Sequence, residues 1–154
     1  MPTKSQTRSS RGALVETSPQ ATSPRFARAV RKIPLPEWRA LLCHHPNLLL
    51  EGPRFDVEET LVALATDFYP RQISWPEGGR CELPVSELRE ITIVVREVTA
   101  LDAGSLDGLR AWLESARRPI QVVTTSSVPL FPLVERRAFP GDLYYRLNTL
   151  RFQL

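Results

Sequence analysis

The most regular hydrophobic pattern lies between residues 47 and 154, where short apolar runs alternate with stretches of helical spacing. Leu48-Leu49-Leu50 is an unbroken apolar run ended by Gly52-Pro53, the signature of a buried strand. Val57, Leu61, Leu64 and Phe68 recur at helical intervals, which predicts an amphipathic helix over 57–68. Asp56 stands where an N-cap would be, with Glu59 as its capping-box partner. Residues 72–75 read as a short strand, followed by a Pro-Glu-Gly-Gly loop at 76–79; residues 85–89 are ambiguous. The run Ile91-Thr92-Ile93-Val94-Val95 is β-branched throughout and predicts the clearest strand in the chain. Helical spacing returns over 102–117, with Leu106, Leu109, Trp112 and Leu113 on the buried face. A second β-branched strand is expected at 120–124, helices at 130–135 and 139–147, and a final alternating strand at 150–154. Strands alternating with helices predict an α/β fold, a parallel sheet flanked by helices on both faces. The continuous apolar strands fit a sheet buried from both sides.

Upstream of residue 47 the pattern weakens. Residues 1–24 are mostly Ser, Thr, Gln, Pro and Arg, a composition that buries too little apolar surface to offset ordering entropy. We read 1–32 as a disordered basic tail and 33–154 as the folded body. Short helices are expected near 26–33 and 36–42, interrupted by Pro34 and Pro36. The tail resembles a transit peptide in its Arg and Ser content, although a solvated tail is the simpler reading. It has no apolar stretch of the length a secretory signal needs, and no run approaches the roughly 18 residues of a membrane helix. A cytoplasmic protein with Cys43 and Cys81 reduced is the expectation.

Charge sharpens the division. Of the 20 basic residues 18 are Arg, and residues 1–32 carry seven of the 20 against the single acid Glu16, which leaves the rest slightly acidic. The sequence pI near 9.2 therefore belongs to the tail, and a body built as a basic nucleic-acid binder is excluded. Nucleic acid remains a partner for the tail alone, through Arg8, Arg11, Arg25, Arg28, Arg31 and Lys32. His44 and His45 are adjacent and no third His exists, so no metal site is expected.

The segment Phe139-Pro140-Gly141-Asp142-Leu143-Tyr144-Tyr145-Arg146-Leu147-Asn148 closely resembles the Phe-Arg-x-Asp-Leu-Tyr-Tyr-Arg-Leu-Asn block of the AAA+ ATPase domain in sigma-54-dependent transcription activators. Three further blocks fall into register with that family. Leu48–Gly52 is similar to the strand entering its Walker A loop, Thr92–Leu101 to its Walker B block, and Val122–Leu130 to its sensor strand. The resemblance spans roughly 47–154 and implies a P-loop NTPase-like core, ring assembly and transcription regulation.

The departures fall on the chemistry. A P-loop needs Gly-x-x-x-x-Gly-Lys, so that backbone N–H groups and one Lys cradle the phosphates. Here Gly52 survives, Val57 stands for the second Gly, Glu58 for the Lys, and Pro53 removes a donor. Asp56 and Glu59 add negative charge. By the same resemblance Arg96 occupies the magnesium-binding Asp position, Glu97 keeps the water-polarising carboxylate, and Ser127 replaces the sensor Asn. Of two arginines that the resemblance would place near a neighbour's nucleotide only Arg146 remains, and its expected role is structural, a stack beside Tyr144 and Tyr145 or an ion pair with Asp142. The sigma-54-contacting Gly-Ala-Phe-Thr-Gly-Ala motif does not occur in the sequence, and with Leu154 just after the last strand the family's helical lid and helix-turn-helix are expected to be missing.

These departures predict a pseudo-ATPase, with ATP and magnesium as unexpected cofactors. Its expected partners are a second copy, an AAA+ activator or an RNA polymerase sigma factor. The competing readings are an ATP-binding regulator in which Arg54 takes the Lys role, and a non-functional remnant.

Overall fold

The computed structural model describes residues 43–75, 77–78, 90–115 and 119–154. The predicted tail, the helices near 26–33 and 36–42, Cys81 and residues 85–89 lie outside them. Five strands form one parallel sheet: β1 (Leu48–Glu51), β2 (Arg71–Trp75), β3 (Ile91–Val95), β4 (Ile120–Ser126) and β5 (Leu150–Gln153), in the spatial order β2-β3-β4-β1-β5. The helices are α1 (Arg54–Leu64), α2 (Ala103–Ser115), α3 (Phe131–Glu135) and α4 (Gly141–Leu147), with short 3-10 turns at Ala65–Asp67 and Val98–Ala100.

Side-chain alternation sends each strand's residues to two cores. On one face Leu48, Leu50, Val94 and Val123 pack against Val57, Leu61 and Leu64 of α1 and against Phe68. On the other, Leu49, Ile91, Ile93, Val95 and Val122 pack against Leu109 of α2 and Leu143, Tyr144 and Leu147 of α4. Topology explains this division. The β1-to-β2 connection crosses the sheet in one direction and the β3-to-β4 and β4-to-β5 connections in the other, and right-handed crossovers then place their helices on opposite faces. The exits of the neighbouring strands β1 and β4 thus diverge, opening a crevice at their carboxyl ends.

The predicted helix at 57–68 keeps its buried positions but starts earlier and ends sooner. Pro53 precedes Arg54 at the helix start, no side chain caps it, and Asp56 sits inside the first turn. The expected Asp56–Glu59 capping box is therefore corrected: proline, with φ near the helical value and no N–H to leave unpaired, starts this helix. Asp102 does cap α2, accepting a hydrogen bond from Ser105 N–H at 2.7 Å.

The amino end of the sheet is tied by polar side chains. Asn47 accepts from Val122 N–H at 2.8 Å and donates to Arg146 O at 2.9 Å, joining the entry of β1 to β4 and α4. Thr92 donates to Gln121 Oε1, and Gln121 donates to Pro46 O. Among the described residues no helix is long and apolar enough to cross a membrane.

Candidate functional site

The crevice at the carboxyl ends is a cleft of about 190 Å³ whose walls include Gly52, Val57, Glu58, Arg96, Glu97 and Ser127. These six positions that the sequence pattern singled out thus converge, and Arg54 lines the cleft beside them. Pro53, Asp56 and Glu59 around the start of α1 and Arg146 on α4 do not line it.

At the exit of β1 the chain turns directly into a helix. Val57 N–H donates to Pro53 O at 3.1 Å, so residues 54–57 form the first turn of α1 and leave no extended loop between Gly52 and Glu58. The Val57 side chain is buried in the α1 core. Gly52 has φ 154°, and a Cβ there would lie 2.9 Å from Leu154 O. Its place is fixed by close approach to the chain beyond β5, while Gly52 N–H donates to Ser126 O at 3.0 Å.

Glu58 and Arg96 meet across the cleft as a fork. Arg96 Nε donates to Glu58 Oε1 at 3.2 Å and Arg96 Nη2 to Glu58 Oε2 at 3.1 Å. The third nitrogen, Nη1, donates to Ser74 Oγ at 3.2 Å, so one guanidinium links α1, β2 and the end of β3. Both side chains are more than a third exposed, at 35% and 41%, so the pair adds only about 0.5–1 kcal/mol of stability. Its importance is positional, since it holds a carboxylate and a guanidinium on each other.

Glu97 follows with a left-handed backbone, φ 46°. Such a conformation costs roughly 1–3 kcal/mol in a residue with a Cβ and persists only where neighbours hold it. Three hydrogen bonds do so. Glu97 N–H donates to Thr125 Oγ1 at 2.9 Å, Ser127 N–H donates to Glu97 Oε2 at 2.9 Å, and Thr99 Oγ1 donates to Glu97 Oε1. The Glu97 carboxylate is thus a tie between the ends of β3 and β4.

Arg54 pairs with Glu77 at 3.2 Å at the mouth of the cleft. Below it Glu51, 1% exposed, accepts from Leu130 N–H at 2.7 Å through Oε1. Its Oε2 lies 2.9 Å from Arg151 Nε, an ion pair without the alignment of a hydrogen bond. The expected Arg146–Asp142 pair is corrected: Arg146 bonds Glu114 of α2 at 3.5 Å, while Asp142 bonds Arg110 at 3.5 Å. Residues four apart on a helix face one side, but α2 packs alongside α4 and offers each charge an opposite partner.

The sequence reading missed Ser74, Glu77 and Thr125. No local signal marks them, because each reaches the site through strand order.

No protein-family model matches the sequence, and no curated protein matches it. The fold does match solved structures. ATP-bound NtrX from Brucella abortus aligns over 86% of this chain with TM-score 0.58 and 12% identity. The P-loop NTPase domain of a sigma-54 activator from E. coli aligns over 84% of this chain and 94% of its own, with TM-score 0.53 and 12% identity. A RuvB variant from Thermotoga maritima aligns over 76% of this chain and 43% of its own, with TM-score 0.50 and 13% identity. This chain spans about 36% of NtrX. The molecule therefore has the P-loop NTPase fold of AAA+ domains, with sigma-54 activator domains among its structural neighbours.

Proposed function

We propose that this protein is a degenerate relative of the sigma-54 activator ATPase domain that does not hydrolyse ATP and acts as a transcription-regulatory protein-interaction module. The observation that carries the reading is the Glu58–Arg96 fork. Phosphoryl transfer relies on fixed positive charge at the phosphates and a carboxylate-held magnesium ion. In the register of the resemblance these two roles fall to Glu58 and Arg96, each of the wrong sign and each engaged with the other. The residues present do not fit magnesium and a triphosphate, and α1 begins too early to leave a phosphate-cradling loop. Glu97, the one retained carboxylate, is engaged with Ser127 and Thr99. Arg54 is already paired with Glu77, which weighs against its taking the Lys role.

With hydrolysis gone, the function lies in the surface. Its partner is a second copy, an AAA+ activator or an RNA polymerase sigma factor, met in the cytoplasm. The test is phosphate release by the full chain, alone and mixed with an active sigma-54 activator ATPase domain. The reading expects no turnover alone and a changed rate in the mixture. Magnesium-dependent turnover by the chain itself would refute it.

A further inference from the structure

Among the described residues, the cleft holds two cations, Arg54 and Arg96, and three carboxylates, Glu58, Glu77 and Glu97. Each carboxylate has a partner: Glu77 has Arg54, Glu97 has Ser127 N–H and the Thr99 hydroxyl, and Glu58 has Arg96. They differ in what the partner could otherwise do. The Arg54–Glu77 pair stands at the mouth, with Arg54 largely exposed. Glu97 ties the end of β3 to the Ser127 N–H just beyond β4. Arg96 alone is a planar fork facing the cleft, held flat by Ser74 on its far nitrogen and aimed at two oxygens of one group. Two parallel N–H···O bonds to one oxyanion are how arginine recognises a carboxylate or phosphate.

We propose that the cleft is a self-liganded oxyanion site, in which the Glu58 carboxylate occupies the Arg96 fork as a phosphate or carboxylate from solution would. The inference deepens the functional reading above, on which it rests, by naming what keeps the cleft closed to anions. Glu58 is tethered at the fork by α1, so its effective concentration there is far above that of a dissolved competitor. Losing its charge leaves Arg96 pre-aligned by Ser74 and open to a small oxyanion. The surrounding groups oppose this only partly, since Glu77 is neutralised by Arg54 and both Glu97 oxygens accept hydrogen bonds.

The test is calorimetric titration of the full chain with inorganic pyrophosphate at low salt. The parent, Glu58→Gln, Glu58→Gln with Arg96→Gln, and Glu59→Gln are compared. Glu59→Gln removes the same charge from the same helix outside the cleft. The expected result is binding by Glu58→Gln tighter than the parent by about tenfold or more, weakened by salt and abolished when Arg96 is also replaced. Glu59→Gln should behave as the parent. If Glu58→Gln fails to fold, Glu58→Asp, one methylene shorter, replaces it, with a smaller gain of the same sign. A folded Glu58→Gln that binds no better than the parent overturns the inference, as does equal gain in Glu59→Gln, which would mean bulk charge. Those outcomes leave the non-hydrolysing reading standing; that reading falls on the parent chain's own behaviour with magnesium and ATP.

Discussion

Two segments at opposite ends of the body follow the family pattern to very different degrees. The block at 139–148 keeps nearly all of it, and the block at 52–59 keeps one glycine. In the first, Phe139, Leu143, Tyr144 and Leu147 are buried in the larger core, so the pattern is a packing pattern. Its charged members are free to change partner, as Arg146 and Asp142 do with Glu114 and Arg110. In the second, Val57 is buried against the sheet while Glu58 stays partly exposed and pairs with Arg96. Altering a core position costs more, because cavities and overpacking both lower stability. A half-exposed charge is cheap to replace, particularly when its counterpart reverses with it. The buried block holds the sheet, while the cleft positions Glu58 and Arg96 hold each other's charges.

That contrast gives an order of effects. Leu143→Ala, in the retained block and fully buried, should cost about 2–5 kcal/mol in chemical denaturation. A loss below about 1 kcal/mol would mean the block is not held by packing. Gly52→Ala should cost about 1–3 kcal/mol, because its Cβ would meet Leu154 O at 2.9 Å. A neutral result would mean that close packing does not fix the glycine at position 52. Smaller still is the fork. Glu58→Arg and Arg96→Glu alone should each destabilise, and the double exchange should recover about 0.5–1 kcal/mol of coupling in a double-mutant cycle. Strict additivity would show that the two side chains do not interact.

The smallest effect lies at the other end of the sheet. Tyr69 stacks on His45 with ring centroids 3.7 Å apart, and burial, with the nearby Glu90 charge adding, raises its phenol above the ordinary value of 10.0. The folded state then holds the proton more tightly than the unfolded chain. Stability is full below pH 10 and declines as the unfolded chain ionises above it. Tyr69→Phe should flatten that decline in denaturation midpoints measured across the alkaline range.

Much of the fold was legible in the sequence because it is written in burial. The apolar run at 48–50, the β-branched runs at 91–95 and 120–124 and the alternation at 150–153 each became a strand, and the helical face Leu106, Leu109, Trp112, Leu113 packs as spaced. Helix starts were less legible. Asp56 looked like a cap by local rule, but Pro53 sets the start three residues earlier. The cleft positions could be named from the family register, since a register needs only one dimension. Their partners could not. Glu58 meets Arg96 across 38 residues of chain, and Ser74 and Thr125 join them only once β2, β3 and β4 lie side by side. Arg146 shows the same limit, because its nearest charge in sequence was not its nearest in space.

The most direct measurement is titration of the purified full chain with a fluorescent ATP analogue and magnesium, beside a Val57→Gly, Glu58→Lys, Arg96→Asp triple variant. A cleft that satisfies its own charges predicts no binding by the parent chain up to millimolar nucleotide. Micromolar, magnesium-dependent binding by the parent would contradict the account and mark the protein as a nucleotide-gated regulator.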